Sequence, residues 1–165
     1  AALRQAVSFG MHKNMTILMA WASGLEQFDE LGADLCDGVY FGAQYWHTVD
    51  TPLNKDLVKR TADKLKIVPN YSLAGSYICT KILIDGIVKA GTVDPKAVVA
   101  ALEGMKFDGL TGVEEIRKAD HQVIKDYYLL KGKAKSKMAN PADYVDVVSS
   151  GKSFLPIDKT GCKLA

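Results

Sequence analysis

The chain has 165 residues, of which 48% are hydrophobic and 24% are charged, so it is long and apolar enough to bury a core of ordinary domain size. Its 21 basic and 19 acidic residues leave a net charge of +2, which gives no reason to expect nucleic acid as a partner. The longest apolar stretch, 78–88, is interrupted by Lys81 and Asp85 and is shorter than the roughly 20 residues that a membrane span needs. We therefore expect a globular protein in which this stretch is a buried helix.

The first 46 residues predict helices alternating with strands. A helical stripe over 3–9 precedes a short apolar run of strand length at 15–20. Ser23 and Glu26 have the spacing of a capping box, which predicts that a helix begins there. A second strand is predicted over 39–45. Two strands joined by one helix form a βαβ unit, whose strands should be parallel.

Helices dominate the next part of the chain, and the change in composition near Asp50 predicts a boundary. Thr51 and Pro52 predict the start of one helix, because threonine caps helices and proline is favoured in the first turn. The segment 71–90 is apolar almost all round, as expected of a helix packed between other elements. Asp94 and the proline after it predict a third helix.

Strand patterns return after a turn predicted at 108–112. Residues 123–130 form a two-sided pattern, with apolar and polar side chains on both faces, that ends at Lys131 and predicts one strand. The basic run 131–137 lacks interleaved aromatic residues and is interpreted as a solvated loop rather than a nucleic-acid surface. The remaining tail is predicted to be irregular.

The histidines and cysteines show no catalytic or metal-binding spacing. The sequence has no His-Glu-x-x-His pattern, no Cys-x-x-Cys pair and no Gly-x-Ser-x-Gly nucleophile motif. We therefore expect no enzyme, no metal site and no cofactor. The residues concerned are His12, His47, His121, Cys36, Cys79 and Cys162.

Several short strings, taken in order, resemble a known family. They are Gly38-Val-Tyr-Phe-Gly-Ala-Gln44, Pro69-Asn-Tyr-Ser-Leu-Ala-Gly-Ser-Tyr77, Asp94-Pro-Lys-Ala-Val-Val-Ala-Ala-Leu102 and Leu110-Thr-Gly-Val-Glu-Glu115. In this order they resemble the C-terminal half of the leucine/isoleucine/valine-binding family, the extracytoplasmic solute-binding proteins of ABC importers. The resemblance extends over nearly the whole chain.

The resemblance implies an α/β protein of the type I periplasmic-binding-protein fold, in which two Rossmann-like lobes are joined by a hinge. Residues 1–46 and 118–165 would belong to the C-terminal lobe, and 47–117 would be the helical part of the N-terminal lobe. The chain would contain the last two of three crossings between lobes. The signal peptide and the N-terminal half would be missing from this sequence. The implied location is periplasmic, and the implied partners are a small solute, the membrane permease and the missing half.

The same resemblance gives candidate site residues. Ligands of such folds bind beyond the carboxyl ends of strands and between lobes, which points to the loop of Ala20, Trp21, Ala22 and Ser23. In the family, the matching loop supplies an acid that pairs with the ligand's α-ammonium group, and the tyrosine matching Tyr71 packs on the ligand. Here no acid precedes Glu26. We therefore expect a carboxylate or amide without a free α-ammonium, which Trp21 could stack against and Ser23 could bind.

Hinge and cysteine expectations follow from the resemblance as well. Tyr45 and Trp46 would flank the hinge or line the rim of the cleft, and Arg117 and Lys118 would lie at the second crossing. The family folds its tail back onto the lobe that contains Cys36, which implies a disulfide between Cys36 and Cys162. Cys79, in the apolar helix, would be a buried free thiol.

Two other classes of function stay open at this point. A ligand-sensing domain of a receptor or regulator could use the same scaffold, with its effector module upstream. A small α/β enzyme complete at 165 residues is the other alternative. It is disfavoured because the first element has neither the glycine-rich turn nor the nucleophile that such enzymes use.

Overall fold

The computed structural model describes residues 1–152 and 154–164 and separates into two compact units. Unit 1 comprises 1–46 and 127–150, and unit 2 comprises 47–126 with the tail from 151. The chain therefore passes between units after Trp46, after Asp126 and after Ser150. The family resemblance implied only two crossings within this chain.

Seven helices and seven strands occur in the described part of the chain, besides short 3₁₀ turns at Met11–Lys13 and Lys135–Lys137. The helices are α1 (Ala2–Ser8), α2 (Leu25–Leu31), α3 (Ala33–Cys36), α4 (Pro52–Leu65), α5 (Tyr71–Ala90), α6 (Pro95–Leu102) and α7 (Ile157–Thr160). The strands are β1 (Leu18–Met19), β2 (Tyr40–Ala43), β3 (Lys106–Gly109), β4 (Gly112–Ile116), β5 (Val123–Ile124), β6 (Tyr127–Gly132) and β7 (Val145–Gly151).

Unit 1 is built on a four-stranded sheet with the order β1-β2-β6-β7. β1 and β2 are parallel, with Leu18 opposite Tyr40, which confirms the predicted βαβ unit. β2 and β6 are antiparallel, with Phe41 opposite Leu130. The predicted single helix between β1 and β2 is wrong. Gly32, at φ 83° and ψ 153°, breaks it into α2 and α3.

The core of unit 1 centres on Phe28 of α2, whose side chain is fully buried. Its ring lies 4.9 Å from that of Phe41, 5.4 Å from that of Trp46 and 5.8 Å from that of Tyr144, measured between centroids. The first two contacts are edge-to-face, an arrangement that stabilises aromatic pairs by about 0.5–1.5 kcal/mol beyond the burial of area. Phe28 thus joins the helical layer to the sheet.

Part of the basic run is strand rather than loop. Lys131 lies in β6 with its ammonium 5.3 Å from the centroid of the Tyr40 ring. Lys133 pairs with Asp143 at 2.7 Å and with Asp146 at 3.0 Å, and its hydrogen bond to Asp143 raises the pKa of the ammonium. The prediction of one solvated loop over 131–137 is therefore wrong for 131–132, which lie in β6, and Lys133, directly after the strand, is held in two ion pairs.

The three helices predicted for unit 2 are confirmed, and each begins with a side-chain cap. Thr51 Oγ1 accepts from the Asn54 N–H at 3.2 Å, and Asn70 Oδ1 accepts from the Leu73 N–H at 3.0 Å. At α6, Asp94 Oδ2 accepts from the Ala97 N–H at 2.9 Å. Each cap satisfies an N–H that has no partner within its own helix.

Helices α5 and α6 pack closely because α5 has a glycine at their contact. A Cβ built on Gly86 would lie 2.7 Å from Cδ2 of Leu102. Any larger residue at this position would push the helices apart or displace the leucine side chain.

Unit 2 also contains an antiparallel sheet in the order β3-β4-β5, so its middle is not purely helical. The single strand predicted over 123–130 is wrong: β5 pairs with β4, whereas β6 pairs with β2 of unit 1. The assignment of 118–126 to the lobe of residues 1–46 is wrong for the same reason. Only Lys125 and Asp126 separate the two strands.

The tail also differs from its prediction. It is partly regular, with β7 and α7, and from Gly151 onward it groups with unit 2. Lys152 Nζ donates to the Val113 carbonyl at 2.7 Å, and Arg117 Nη2 donates to the Leu155 carbonyl at 3.2 Å. These contacts hold Lys152 and Leu155 to unit 2, whereas the tail was expected to belong to the lobe of residues 1–46.

Candidate functional site

The loop Ala20–Ser23 follows β1 and is held against β2 by its backbone. The Ala22 N–H donates to the Gly42 carbonyl at 2.8 Å. A Cβ built on Gly42 would lie only 2.6 Å from the Ala20 carbonyl oxygen, so only glycine permits this approach. The path of the loop is therefore fixed by the strand behind it.

Trp21 is the large side chain that this loop presents to solvent. It is 46% exposed, whereas Ala22 beside it is 1% exposed. Ala20 is also exposed but offers only a methyl group. An exposed indole on a fixed backbone supplies a rigid apolar face with one N–H donor, which suits stacking on a planar or aliphatic ligand.

Ser23 does not form the predicted capping box. The N-cap residue of α2 is Gly24, and both the backbone N–H and the hydroxyl of Ser23 donate to Oε1 of Gln27, at 2.9 Å and 3.3 Å. The side chain that accepts hydrogen bonds from the loop is therefore that of Gln27 rather than that of Glu26. Ser23 in this arrangement therefore offers a ligand its hydroxyl oxygen as an acceptor, and its donors are already used.

Tyr71 is the first residue of α5 and belongs to unit 2. It is half-buried, and the cap formed by Asn70 fixes the backbone from which its side chain projects. The predicted position at a helix start is therefore confirmed. Its contact with a ligand stays a prediction.

Tyr45 and Trp46 are buried at the end of the first segment of unit 1, immediately before the chain enters unit 2. Trp46 packs on Phe28, and burial raises the pKa of the Tyr45 hydroxyl, with Tyr128 adding to the effect. Both residues are part of the unit 1 core. Burial lowers the pKa of the imidazole of His47, the next residue.

Arg117 and Lys118 lie inside unit 2, and the chain leaves that unit only after Asp126. Arg117 forms a two-pronged pair with Asp120, with Nε–Oδ1 at 2.8 Å and Nη2–Oδ2 at 2.5 Å, which lowers the pKa of the Asp120 carboxyl. Lys118 Nζ lies 3.2 Å from Oε2 of Glu103. Their predicted place at a crossing is wrong, because β5 keeps the chain in unit 2 beyond them.

The predicted disulfide is absent, since Cys36 and Cys162 are both free thiols. Cys36 is fully buried in unit 1, where burial raises the pKa of its thiol to about 11, and Cys162 is exposed in the tail that groups with unit 2. Cys79 is exposed rather than buried, because it lies on a face of α5 that is uncovered.

Across residues 1–152 and 154–164, no group of three or more His, Cys, Asp or Glu side chains is arranged to hold a metal ion. Within the same residues, no helix combines the length and the apolar character needed to cross a membrane. Of the candidate ligand-binding residues, the Trp21 loop thus lies in unit 1 and Tyr71 lies in unit 2, and their binding of a ligand stays a prediction.

Comparisons with known proteins agree on one family. The family model for periplasmic binding proteins matches residues 1–137. An amino acid ABC transporter substrate-binding protein from Pseudomonas fluorescens Pf-5 is 53% identical over 99% of this chain, with a TM-score of 0.94. This chain spans 44% of that protein's solved chain.

Two more distant structures share the fold. A periplasmic binding protein from Burkholderia mallei is 25% identical over 92% of this chain and 40% of its own, with a TM-score of 0.79. A branched-chain amino acid ABC transporter periplasmic ligand-binding protein from Burkholderia xenovorans LB400 is 24% identical over the same shares, also with a TM-score of 0.79. No curated protein sequence matches the chain.

Proposed function

Because the chain belongs to the periplasmic binding protein family, we propose that it is the C-terminal part of an extracytoplasmic solute-binding component of an ABC importer. The observation that carries the proposal is the 53% identity, over 99% of this chain, to an amino acid ABC transporter substrate-binding protein. The predicted fold class, α/β of the type I periplasmic-binding-protein kind, is confirmed by the same match. The role is non-catalytic, its place is the periplasm, and its partners are a small solute and a membrane permease.

The surface of unit 2 supports the proposal that a preceding N-terminal part completes the protein. Along α5, Leu83, Ile84 and Val88 are 52%, 54% and 75% exposed. Burying such side chains stabilises a fold by about 1.5–3 kcal/mol each, so a helix with this composition is expected to be covered on both sides. The relative from Pseudomonas fluorescens has more than half its chain outside the matched part.

The proposed mechanism is closure of two lobes around a solute. The solute would contact the Trp21 loop from one lobe and Tyr71 from the other, and water would leave the cleft as the lobes close. The closed form would then be the state that the permease recognises, because a solute that binds both lobes favours closure by its extra contacts. No bond is made or broken.

The proposed ligand is a small carboxylate or amide without a free α-ammonium. A buried ammonium without a carboxylate partner costs several kcal/mol, and the loop 20–23 contains no acid. The exposed indole of Trp21 instead suits an aromatic or aliphatic body. Ser23 contributes an acceptor oxygen, which suits an amide N–H or a hydroxyl of the solute and does not suit a carboxylate, so this contact favours the amide.

Calorimetric titration of the full-length protein tests this proposal. We expect sub-micromolar binding of an aromatic or aliphatic carboxylate or of an amide, weakened about tenfold or more by Trp21→Ala, since aromatic anchors dominate binding energy. Phe9→Ala is the matched control, because Phe9 is an exposed aromatic residue of unit 1 outside the loop.

Two outcomes would contradict the proposal in different ways. Sub-micromolar binding of leucine, isoleucine or valine that is unchanged by Trp21→Ala would show that both the ligand class and the role of Trp21 are wrong. Failure of every solute of these classes to bind would remove the proposed function itself.

A further inference from the structure

Three of the buried polar residues of unit 2 lie beside the segments through which the chain enters and leaves that unit. Asn54 is 0% exposed, Thr111 7% and Glu114 2%. Burying polar groups is unfavourable unless hydrogen bonds satisfy them, and a carboxylate is the most costly of these groups to bury. The hydrogen-bond partners of these three side chains therefore show which segments they hold in place.

The entering segment is held by Asn54 and Thr51. Nδ2 of Asn54 donates to the carbonyl of His47 at 3.0 Å and to that of Val49 at 2.8 Å. The Asn54 N–H donates to Oγ1 of Thr51, whose hydroxyl in turn donates to the Leu110 carbonyl at 3.0 Å. The entering backbone is thus tied to the turn between β3 and β4.

The leaving segment is tied to the next residue of the same turn. The Asp126 N–H donates to Oγ1 of Thr111 at 3.3 Å. Thr111 is itself fixed by Glu114, because its N–H and its hydroxyl donate to Oε1 of that carboxylate at 3.0 Å and 2.8 Å. Gly109 leaves the space for the carboxylate, since a Cβ there would overlap Glu114. The positive charge of Lys125 lies close enough to Glu114 to interact with it.

The third segment that passes between the units also contacts the β3–β4 hairpin. After Ser150 the tail enters unit 2, and Lys152 Nζ donates to the Val113 carbonyl of β4 at 2.7 Å. All three passages therefore attach within the four consecutive residues 110–113.

We infer that the β3–β4 turn is a common hinge anchor. It holds together the unit 2 ends of the three segments that pass between the units, so that bending of the chain during lobe closure is confined to the residues next to Trp46, Asp126 and Ser150. Its members are Thr51, Asn54, Leu110, Thr111 and Glu114. This inference rests on the proposed function, since it assigns the anchor to lobe closure. Asn54, Thr51 and Thr111 act as positioning residues that determine where the chain bends, and they do not touch the solute.

Thr111→Val in the full-length protein tests the anchor, because valine keeps the shape of threonine and removes its hydroxyl. We expect amide hydrogen exchange at Asp126 to accelerate about fivefold or more, as for the loss of one hydrogen bond. Solute affinity should fall by a similar factor, because a looser hinge must be ordered on closure. Thr111→Ser keeps the hydroxyl, so its rate of Asp126 amide exchange and its solute affinity should match those of the wild-type protein.

Thr61→Val is the matched control. Thr61 is also buried in unit 2, but its hydroxyl donates within its own helix, to the Val58 carbonyl at 3.0 Å. We expect this variant to leave Asp126 exchange and solute affinity unchanged, whatever its effect on thermal stability. An equal change in both variants would show a general structural role and overturn the inference.

Thr51→Val provides a second route if Thr111→Val folds poorly. By itself it should accelerate amide exchange at Asn54 and lower solute affinity. Where Thr111→Val folds, the effects of the two variants on affinity should be non-additive, because both act on one turn. Unchanged Asp126 exchange in Thr111→Val, or fully additive effects on affinity, would contradict a common anchor. If the wild-type protein binds no solute, the proposed function fails, and the exchange results still decide whether the anchor exists.

Discussion

At the scale of single residues, burial decides the chemistry of several side chains that the sequence left ambiguous. Cys36 was expected in a disulfide, yet its side chain lies in the core of unit 1 with a raised thiol pKa. A thiol with a pKa of about 11 is almost entirely protonated near neutral pH and is therefore a poor nucleophile for disulfide exchange. The spacing of cysteines along a chain does not predict the pKa of a thiol, because spacing carries no information about how deeply each side chain is buried.

His47 gives a pH dependence whose sign follows from its burial. Its pKa is lowered from 6.5, so the folded protein binds the proton more weakly than the unfolded chain does. As the pH falls below about 6.5, the unfolded chain is protonated first, and the free energy of unfolding decreases until the folded pKa is passed.

We expect His47→Gln to reduce this loss of stability between about pH 7 and pH 5, measured by urea unfolding at a series of pH values. His12→Gln is the control, because His12 is exposed in unit 1. A pH dependence of the free energy of unfolding that is the same in wild type and His47→Gln would contradict the prediction.

At the scale of helices and strands, local signals were sufficient where the stabilising contacts are local. The starts of α4 and α6 were predicted because Thr51 and Asp94 bond N–H groups only three residues away. The two-sided pattern over 123–130 predicts strand, but it does not predict two strands in two sheets. Such a pattern assigns residues to the two faces of a strand, and it does not identify the partner strand, which for β6 is the distant β2.

The packing of α5 on α6 predicts opposite effects for two glycines of one helix. Gly86→Ala should destabilise the chain by about 1 kcal/mol, because overlap with Leu102 outweighs the gain of about 0.5–1 kcal/mol in helix propensity. At Gly75 a Cβ would meet nothing within 4 Å. Gly75→Ala should therefore stabilise the chain by the gain in helix propensity alone, about 0.5–1 kcal/mol. Chemical unfolding measures both.

A double variant checks the cause of the Gly86 effect. Removing the Leu102 side chain in Gly86→Ala/Leu102→Ala should make the alanine at position 86 favourable again, relative to Leu102→Ala alone. The explanation by overlap fails if Gly86→Ala stabilises the wild-type chain, or if its cost is the same in both backgrounds.

At the scale of the whole molecule, the family and its fold class were predictable from an ordered series of short strings, whereas the division of the chain was only partly so. The boundary near residue 46 coincides with a change from mixed to helical pattern. The boundary after Asp126 has no such change, since strand residues lie on both sides of it. The hinge anchor could not be predicted either, because contacts such as that of Thr51 with Leu110 join residues 59 positions apart.

The exposed side of α5 leads to a prediction about the isolated chain. A 165-residue fragment that exposes Leu83, Ile84 and Val88 should bind a hydrophobic fluorescent dye strongly, and the full-length protein should bind it weakly. Replacing Leu83 and Ile84 with Glu should lower dye binding by the fragment, whereas the same change at exposed Met11 and Met15 of unit 1 should lower it less. Equal dye binding by fragment and full-length protein would contradict the proposal that a preceding part covers α5.

The contact between Gly42 and the Ala20 carbonyl has a consequence for how this protein could change its specificity. Since the strand behind the loop fixes the backbone, the side chain at position 21 can be exchanged without altering the path of the loop. Under the proposed function, natural or laboratory selection could therefore alter the preferred solute by single substitutions of Trp21. A substitution of Gly42, by contrast, would displace the Ala20 carbonyl and with it the path of the whole loop, although residue 42 itself lies behind the loop.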